Sequence, residues 1–276
     1  MTVIRAILTV ILIFGAFRTA EAADVIRING SGSALDMMTP IVAAYRKANP
    51  KVEIRMAKPL GSSGAIKALL AGVLDIVVSS KPLKPEEAHQ GAVGREYGKT
   101  PLLFVTNMDV KKDNITLQEL KDIYKGNTIT WPDGKPLRLI LRPEGDIDTQ
   151  IIRGLSSGLD AAVSAATKRR GMVIAVTDPD LVETVAKTSG ALGAASLSTM
   201  LVTKPRLNPL SFNGTRASTT ALAAGSYPLA KEIRFITTSR TSAAAAKFLA
   251  FVYSAKGRAI AEKSGVLLDP SVKGAK

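Results

Sequence analysis

Three short turns in the first third of the chain carry the residue types of an anion receptor. They are Gly30-Ser31-Gly32-Ser33, Pro59-Leu60-Gly61-Ser62-Ser63-Gly64 and Ser79-Ser80-Lys81-Pro82. The opening N–H groups of a helix have no partner inside the helix. The helix dipole adds partial positive charge at the same end. Glycine lets an oxyanion approach the backbone, and serine hydroxyls donate further hydrogen bonds. Ser33 with the N–H groups of Ala34 and Leu35, then Ser62 and Ser63, then Ser79 and Ser80 are the candidate donors. Arg142 follows the apolar run Leu137–Leu141. A guanidinium there either grips an oxyanion through two parallel hydrogen bonds or closes a structural salt bridge.

Other chemistries lack parts. The one histidine, His89, stands in the polar stretch Glu86-Glu87-Ala88-His89-Gln90, and there is no cysteine. Ser-His, Cys-His and thiolate or imidazole metal sites are therefore not assembled. No Ser-x-x-Lys hydrolase motif and no P-loop occurs, and Gly30-Ser31-Gly32 lacks the third glycine of a dinucleotide fingerprint. Glu144, Asp146 and Asp148 are too close together to flank a glycosidic bond from two sides. The expectation is binding without catalysis and without a cofactor.

The elements that must hold these turns alternate between strand and helix. Asp24–Asn29, Val52–Met56 and Leu74–Val78 read as strands, and Ala34–Asn49 and Ala65–Ala71 as helices. Strands alternating with helices imply an α/β fold with a mostly parallel sheet, whose ligands sit beyond the carboxyl ends of the strands. All three turns fall on that edge. Pro101–Asn107 reads as a strand crossing to a second lobe, and Ile233–Thr237 as one returning. Between them lie a helix at Thr116–Lys125 with Thr116 and Glu119 as a capping box, a helix from about Thr149, a helix at Leu181–Lys187 and a strand at Ala191–Ala195. Ser242–Ser254 and Lys256–Ser264 read as closing helices. The expected division is residues 1–22 as signal peptide, 23–103 plus 230–276 as one lobe, and 104–229 as the other.

Export rests on the first residues. Arg5, the twelve-residue apolar run Ala6–Phe17 and Ala20-Glu21-Ala22 match a charged start, an apolar centre and a small-x-small cleavage site. A membrane span needs about 20 apolar residues, so this run is too short to be one. Without cysteine there is no lipid-bearing residue at the new start, which points to a soluble periplasmic protein. The net charge of +14 attracts anions. Basic residues are scattered and aromatics are only 5%, which argues against a nucleic-acid surface.

The chain resembles the phosphate-binding periplasmic component of ABC importers, within the type II periplasmic-binding-protein superfamily. The resemblance runs from about Val25 to Leu268. It is carried by Ile28-Asn29-Gly30-Ser31-Gly32-Ser33, Gly61-Ser62-Ser63-Gly64-Ala65-Ile66-Lys67, Gly72-Val73-Leu74-Asp75-Ile76 with Ser79-Ser80-Lys81-Pro82-Leu83, and Ile115–Gly126 followed by Trp131. Arg142-Pro143-Glu144-Gly145, Tyr227-Pro228-Leu229 and Ala246–Phe251 with Gly257 complete it. It implies two α/β lobes with mixed, mostly parallel sheets that close over an oxyanion in an interlobe cleft. The implied ligand contacts are Ala34, Leu35, Ser62, Ser80 and Arg142, and then Gly145, Asp146, Ile147 and Asp148 at a helix start. The implied partners are a small oxyanion, phosphate or a relative, and the membrane permease of an ABC importer. A monomer is expected. The alternative is a ligand-sensing or interaction protein of the same fold that signals to a membrane sensor.

Several positions depart from the family pattern. Ala34 stands where a hydroxyl is usual, and Ser80 where an aspartate usually accepts a proton from phosphate. Gly145-Asp146-Ile147-Asp148 replaces Gly-Ser-Gly-Thr, setting two carboxylates where donors should face an anion. Either they cap the helix, or one takes over the missing acceptor role, or the ligand differs or is lost.

Overall fold

The computed structural model describes residues 24–273, so the leader read at Met1–Ala22 lies outside the described residues. The chain opens with β1 (Val25–Gly30), α1 (Gly32–Ala48), β2 (Glu53–Met56), α2 (Gly61–Leu70), β3 (Ile76–Ser79) and α3 (Pro85–His89). β2 and β3 flank β1 and run parallel to it, so all three turns leave the same edge. α1 and α2 begin at Gly32 and Gly61, earlier than the Ala34 and Ala65 expected from apolar spacing. The glycines and serines of these turns are wound into first helical turns, where N–H groups need no internal partner.

β4 (Val93–Asn107) is one continuous strand that starts eight residues before the expected Pro101. Its first half carries Arg95, Glu96 and Lys99, which break the apolar pattern that marks the second half as a strand. There follow β5 (Asn114–Ile115), α4 (Leu117–Lys125), β6 (Arg138–Leu141), α5 (Ile147–Arg153), α6 (Ser157–Lys168), β7 (Val173–Ile174), α7 (Asp178–Lys187) and β8 (Ala191–Ser196). α8 (Leu197–Thr203), β9 (Leu207–Pro209), β10 (Ser211–Phe212) and α9 (Thr219–Ala223) precede the return strand β11 (Ala230–Thr237). α10 (Ala243–Tyr253), α11 (Ala255–Lys263), β12 (Leu267–Leu268) and α12 (Pro270–Lys273) close the described chain.

The fold is α/β with a mixed sheet in the order β2-β1-β3-β11-β4-β8-β6-β7. Parallel pairing holds within β2-β1-β3 and within β8-β6-β7. In this sheet the antiparallel ladders all involve β4 or β11. The reason is topological: one strand carries the chain across and the other carries it back, so they must run opposed. β4 pairs with β11 over Val93–Pro101 and with β8 over Leu102–Thr106.

Two large apolar cores lie on either side of this crossing. One holds Ile26, Met37, Ile41, Ile76, Phe235 and Phe248. The other holds Phe104, Leu120, Trp131, Leu141, Leu159 and Leu192. Two buried aromatics satisfy their polar ends: the Tyr227 hydroxyl donates to Leu102 O at 2.8 Å and Trp131 Nε1 to Gly190 O at 2.9 Å. The Thr116–Glu119 capping box forms as expected, with the Thr116 N–H donating to Glu119 Oε2 at 2.8 Å. Among the described residues no helix is long and apolar enough to cross a membrane.

Candidate functional site

The three turns converge because β1 and β3 approach very closely. A Cβ on Gly30 would lie 1.9 Å from Val78 O, so only glycine fits there. The next N–H, of Ser31, donates to Val78 O at 3.1 Å. Ser31 Oγ then meets Ser80 Oγ at 2.7 Å, and the Ser80 N–H donates to Ser62 Oγ at 3.0 Å. One residue from each turn is thus laced to the others. Buried Asn29 adds a brace: its Oδ1 accepts from the N–H groups of Gly30 (2.8 Å) and Leu60 (2.9 Å), and its Nδ2 donates to Lys58 O at 3.1 Å.

Across from these turns, β6 ends at Leu141 and delivers Arg142 to the same place. A hollow of about 250 Å³ lies between, lined by Ser31, Gly32, Ser62, Ser63 and Lys81 on one side. Arg142, Gly145, Asp146, Ile147 and Asp178 line the other side. The Lys81 ammonium donates to Gly145 O across the mouth. Leu60 and Val176, both exposed, form part of the rim.

The floor beside this hollow is densely charged. Arg142 Nη2 lies 2.9 Å from Asp146 Oδ2 and 3.5 Å from Asp178 Oδ2, and Nη1 donates to Ala175 O at 3.0 Å. The Lys231 ammonium, from β11, sits 2.7 Å from Asp148 Oδ1 and 2.8 Å from Asp178 Oδ1. Lys231 and Asp148 are each only 1% exposed. Two cations thus face three carboxylates. Burial pushes the Asp148 carboxyl up to about 7, a shift that the nearby Lys231 only partly offsets. Burial also opposes ionisation of Asp178, but Lys231 and Arg142 outweigh it and hold that carboxyl down at about 2. Burial works against the Lys231 charge as well, yet Asp148 and Asp178 raise its pKa. A proton on Asp148 would leave two cations facing two carboxylates, and burial favours that neutral form of its carboxyl.

The residues expected from the sequence divide into three groups. Ser62, Ser63, Arg142, Gly145, Asp146 and Ile147 line the hollow. Ser80 stands just behind it, buried and bonded to Ser31 and Ser62. Ser33, Ala34, Leu35 and Asp148 are buried and do not line it. The physical reasons differ. Ala34 and Leu35 pack into the core of the first half, and the Leu35 N–H already donates to Ser31 O at 3.0 Å. Ser79 spends its hydroxyl inside its own loop, on the backbone of Lys81. Asp146 does cap α5, accepting from the Asp148 N–H at 2.9 Å, whereas Asp148 turns inward to Lys231. Arg142 makes the structural salt bridge as well as facing the hollow.

Ser31, Lys81, Asp178 and Lys231 escaped the sequence reading as site residues. Two had usable signals. Lys231 shares alternation with the buried Ile233 and Phe235, so a period of two already turns it inward. Thr177 with Asp180 is a capping box, which starts α7 at Asp178 and not at the expected Leu181.

Comparisons agree with this architecture. Over 258 residues the chain is 24% identical to the phosphate-binding protein PstS of Borreliella burgdorferi, covering 91% of this chain and 92% of that one. A candidate phosphate ABC transporter substrate-binding protein of Clostridium perfringens, solved with bound phosphate, superposes with a TM-score of 0.75 at 21% identity, over 89% of this chain and all of that one. An ABC-type phosphate transport receptor of Vibrio cholerae gives 0.61 at 19% identity, over 89% and 100% of the two chains. At these identities the structures speak for the fold alone. The family model for the PBP superfamily domain matches residues 18–256, nearly the whole chain, and the chain therefore belongs to that superfamily.

Proposed function

We propose that this protein is a periplasmic solute-binding protein that captures a tetrahedral oxyanion, phosphate or a close relative, and presents it to the permease of an ABC importer. One observation carries the reading: hydroxyl-bearing turns of β1–α1 and β2–α2 and the guanidinium of Arg142 border one hollow between two cores. The first-turn N–H groups of α2, the exposed Ser63 hydroxyl and Lys81 supply donors and positive charge. Similarity along almost the full length to a phosphate-binding protein supports the same ligand class here. The protein binds and releases and does no chemistry on its ligand. We take the lobes as residues 23–103 plus 230–276 and 104–229, hinged on β4 and β11, in a monomer exported by its leader and soluble in the periplasm.

A ligand bound only by the folded state raises its melting temperature. Phosphate, phosphite, sulfate, arsenate, molybdate and alkylphosphonates, tested one by one against the mature chain, should include at least one that raises it. If none does, oxyanion capture is wrong. Ser63→Ala with Lys81→Ala leaves the buried charge cluster untouched and should reduce that shift.

A further inference from the structure

We infer that Asp178 is an internal anion: its carboxylate sits on the N-terminus of α1, where a captured oxyanion would sit, and must be displaced before one binds there. This rests on the oxyanion-capture reading and names the residue that sets its affinity.

The geometry is that of a bound ligand. Asp178 belongs to α7, packed on the second core, yet its carboxylate reaches the first turn of α1. A Cβ on Gly32 would lie 2.8 Å from Asp178 Cβ and 2.9 Å from its Oδ2, so the glycine that opens α1 admits this side chain at contact distance. The Ser33 backbone N–H helps to stabilise the carboxylate. One oxygen, Oδ1, takes the Lys231 ammonium at 2.8 Å, and the other, Oδ2, takes Arg142 Nη2 at 3.5 Å. A helix N-terminus, an ammonium and a guanidinium converging on one oxyanion are the elements of a phosphate site. Here the protein supplies the oxyanion itself. The hydroxyl of Ser33, the residue whose N–H serves Asp178, is buried and has no hydrogen-bond partner.

Further contacts hold the two halves together around this point. Thr199 Oγ1, at the start of α8, donates to Asp36 Oδ2 of α1 at 2.6 Å. Lys81 reaches Gly145 at the mouth. The two halves are thus joined through the chain's own groups, and an incoming anion competes with Asp178 for Lys231, Arg142 and the Ser33 amide. An internal competitor lowers apparent affinity by the fraction of molecules in which the site is free.

Asp178→Asn keeps the shape and removes the charge. Calorimetric titration with inorganic phosphate and small-angle X-ray scattering without ligand should be run on the mature wild-type chain, on Asp178→Asn and on Glu183→Gln. The last removes the same charge from the exposed side of α7. We expect Asp178→Asn to bind phosphate about tenfold more tightly or better, and to scatter as a more open particle when ligand-free. Glu183→Gln should match wild type in both. Asp178→Asn that binds phosphate no more tightly and scatters like wild type overturns the inference, while wild-type binding would leave oxyanion capture standing. Equal gains in Asp178→Asn and Glu183→Gln also overturn it, because net charge alone would then explain them. An opened Asp178→Asn that binds no oxyanion supports the internal clasp and instead contradicts oxyanion capture.

Discussion

At the scale of single residues, the site is governed by which charges are buried together. Asp148 is the sensitive member. Its carboxyl is pushed up to about 7 by burial, so the folded chain holds that proton more tightly than the unfolded chain does. Its contribution to stability is present at low pH and is lost as pH rises from about 4 through 7. Asp178, held down at about 2, has the opposite sign: its contribution is present above about 4 and disappears as pH falls toward 2. Wild type should therefore lose stability relative to Asp148→Asn on going from pH 5 to pH 8. The difference in melting temperature between the two should change by roughly 3 °C or more across that range. Parallel curves would mean that Asp148 is not the titrating group. Asn29 presents a different case, with no charge and three hydrogen bonds, two of which tie the end of β1 to Lys58 and Leu60 at the second turn. Asn29→Ala should cost about 2 kcal/mol in denaturant unfolding, because buried backbone donors lose their acceptor.

At the scale of elements, close approach and capping decide where the turns sit. Gly30→Ala would put a methyl 1.9 Å from Val78 O and force β1 and β3 apart. We expect loss of the cooperative unfolding transition of the half built on Ile26 and Ile76, seen by circular dichroism. Thr116→Ala removes a cap on α4, far from the hollow, and should cost about 1 kcal/mol with no change in oxyanion binding. The same elements show what could be read beforehand. α4 was legible because its capping box and apolar spacing agree. β3 was legible because Ile76, Val77 and Val78 form a continuous apolar run. The first half of β4 was not, since Arg95, Glu96 and Lys99 interrupt its apolar pattern and Glu96 finds its partner only across strands, in Arg234 of β11 at 3.2 Å. The starts of α1 and α2 were misread because glycine and serine suit both a flexible turn and a helix's first turn, and only the packing of β1 against β3 decides between them.

At the scale of the whole molecule, the convergence of Ser31, Ser62, Ser80 and Arg142 follows from parallel strands that leave one edge and a chain that crosses on β4 and returns on β11. Ser62 could be anticipated because it stands in a glycine- and serine-rich turn before a helix, and Arg142 because it follows an apolar strand. Asp178 and Lys231 could not be paired in advance, since they lie 53 residues apart and meet only through the closed arrangement. Oxyanion capture requires the hollow to hold the solute. Crystals of the mature chain soaked in molybdate and measured at a wavelength where molybdenum scatters anomalously test this directly. We predict an anomalous peak between the first turns of α1 and α2 and Arg142. Peaks confined to the outer surface, with none in that hollow, would contradict it.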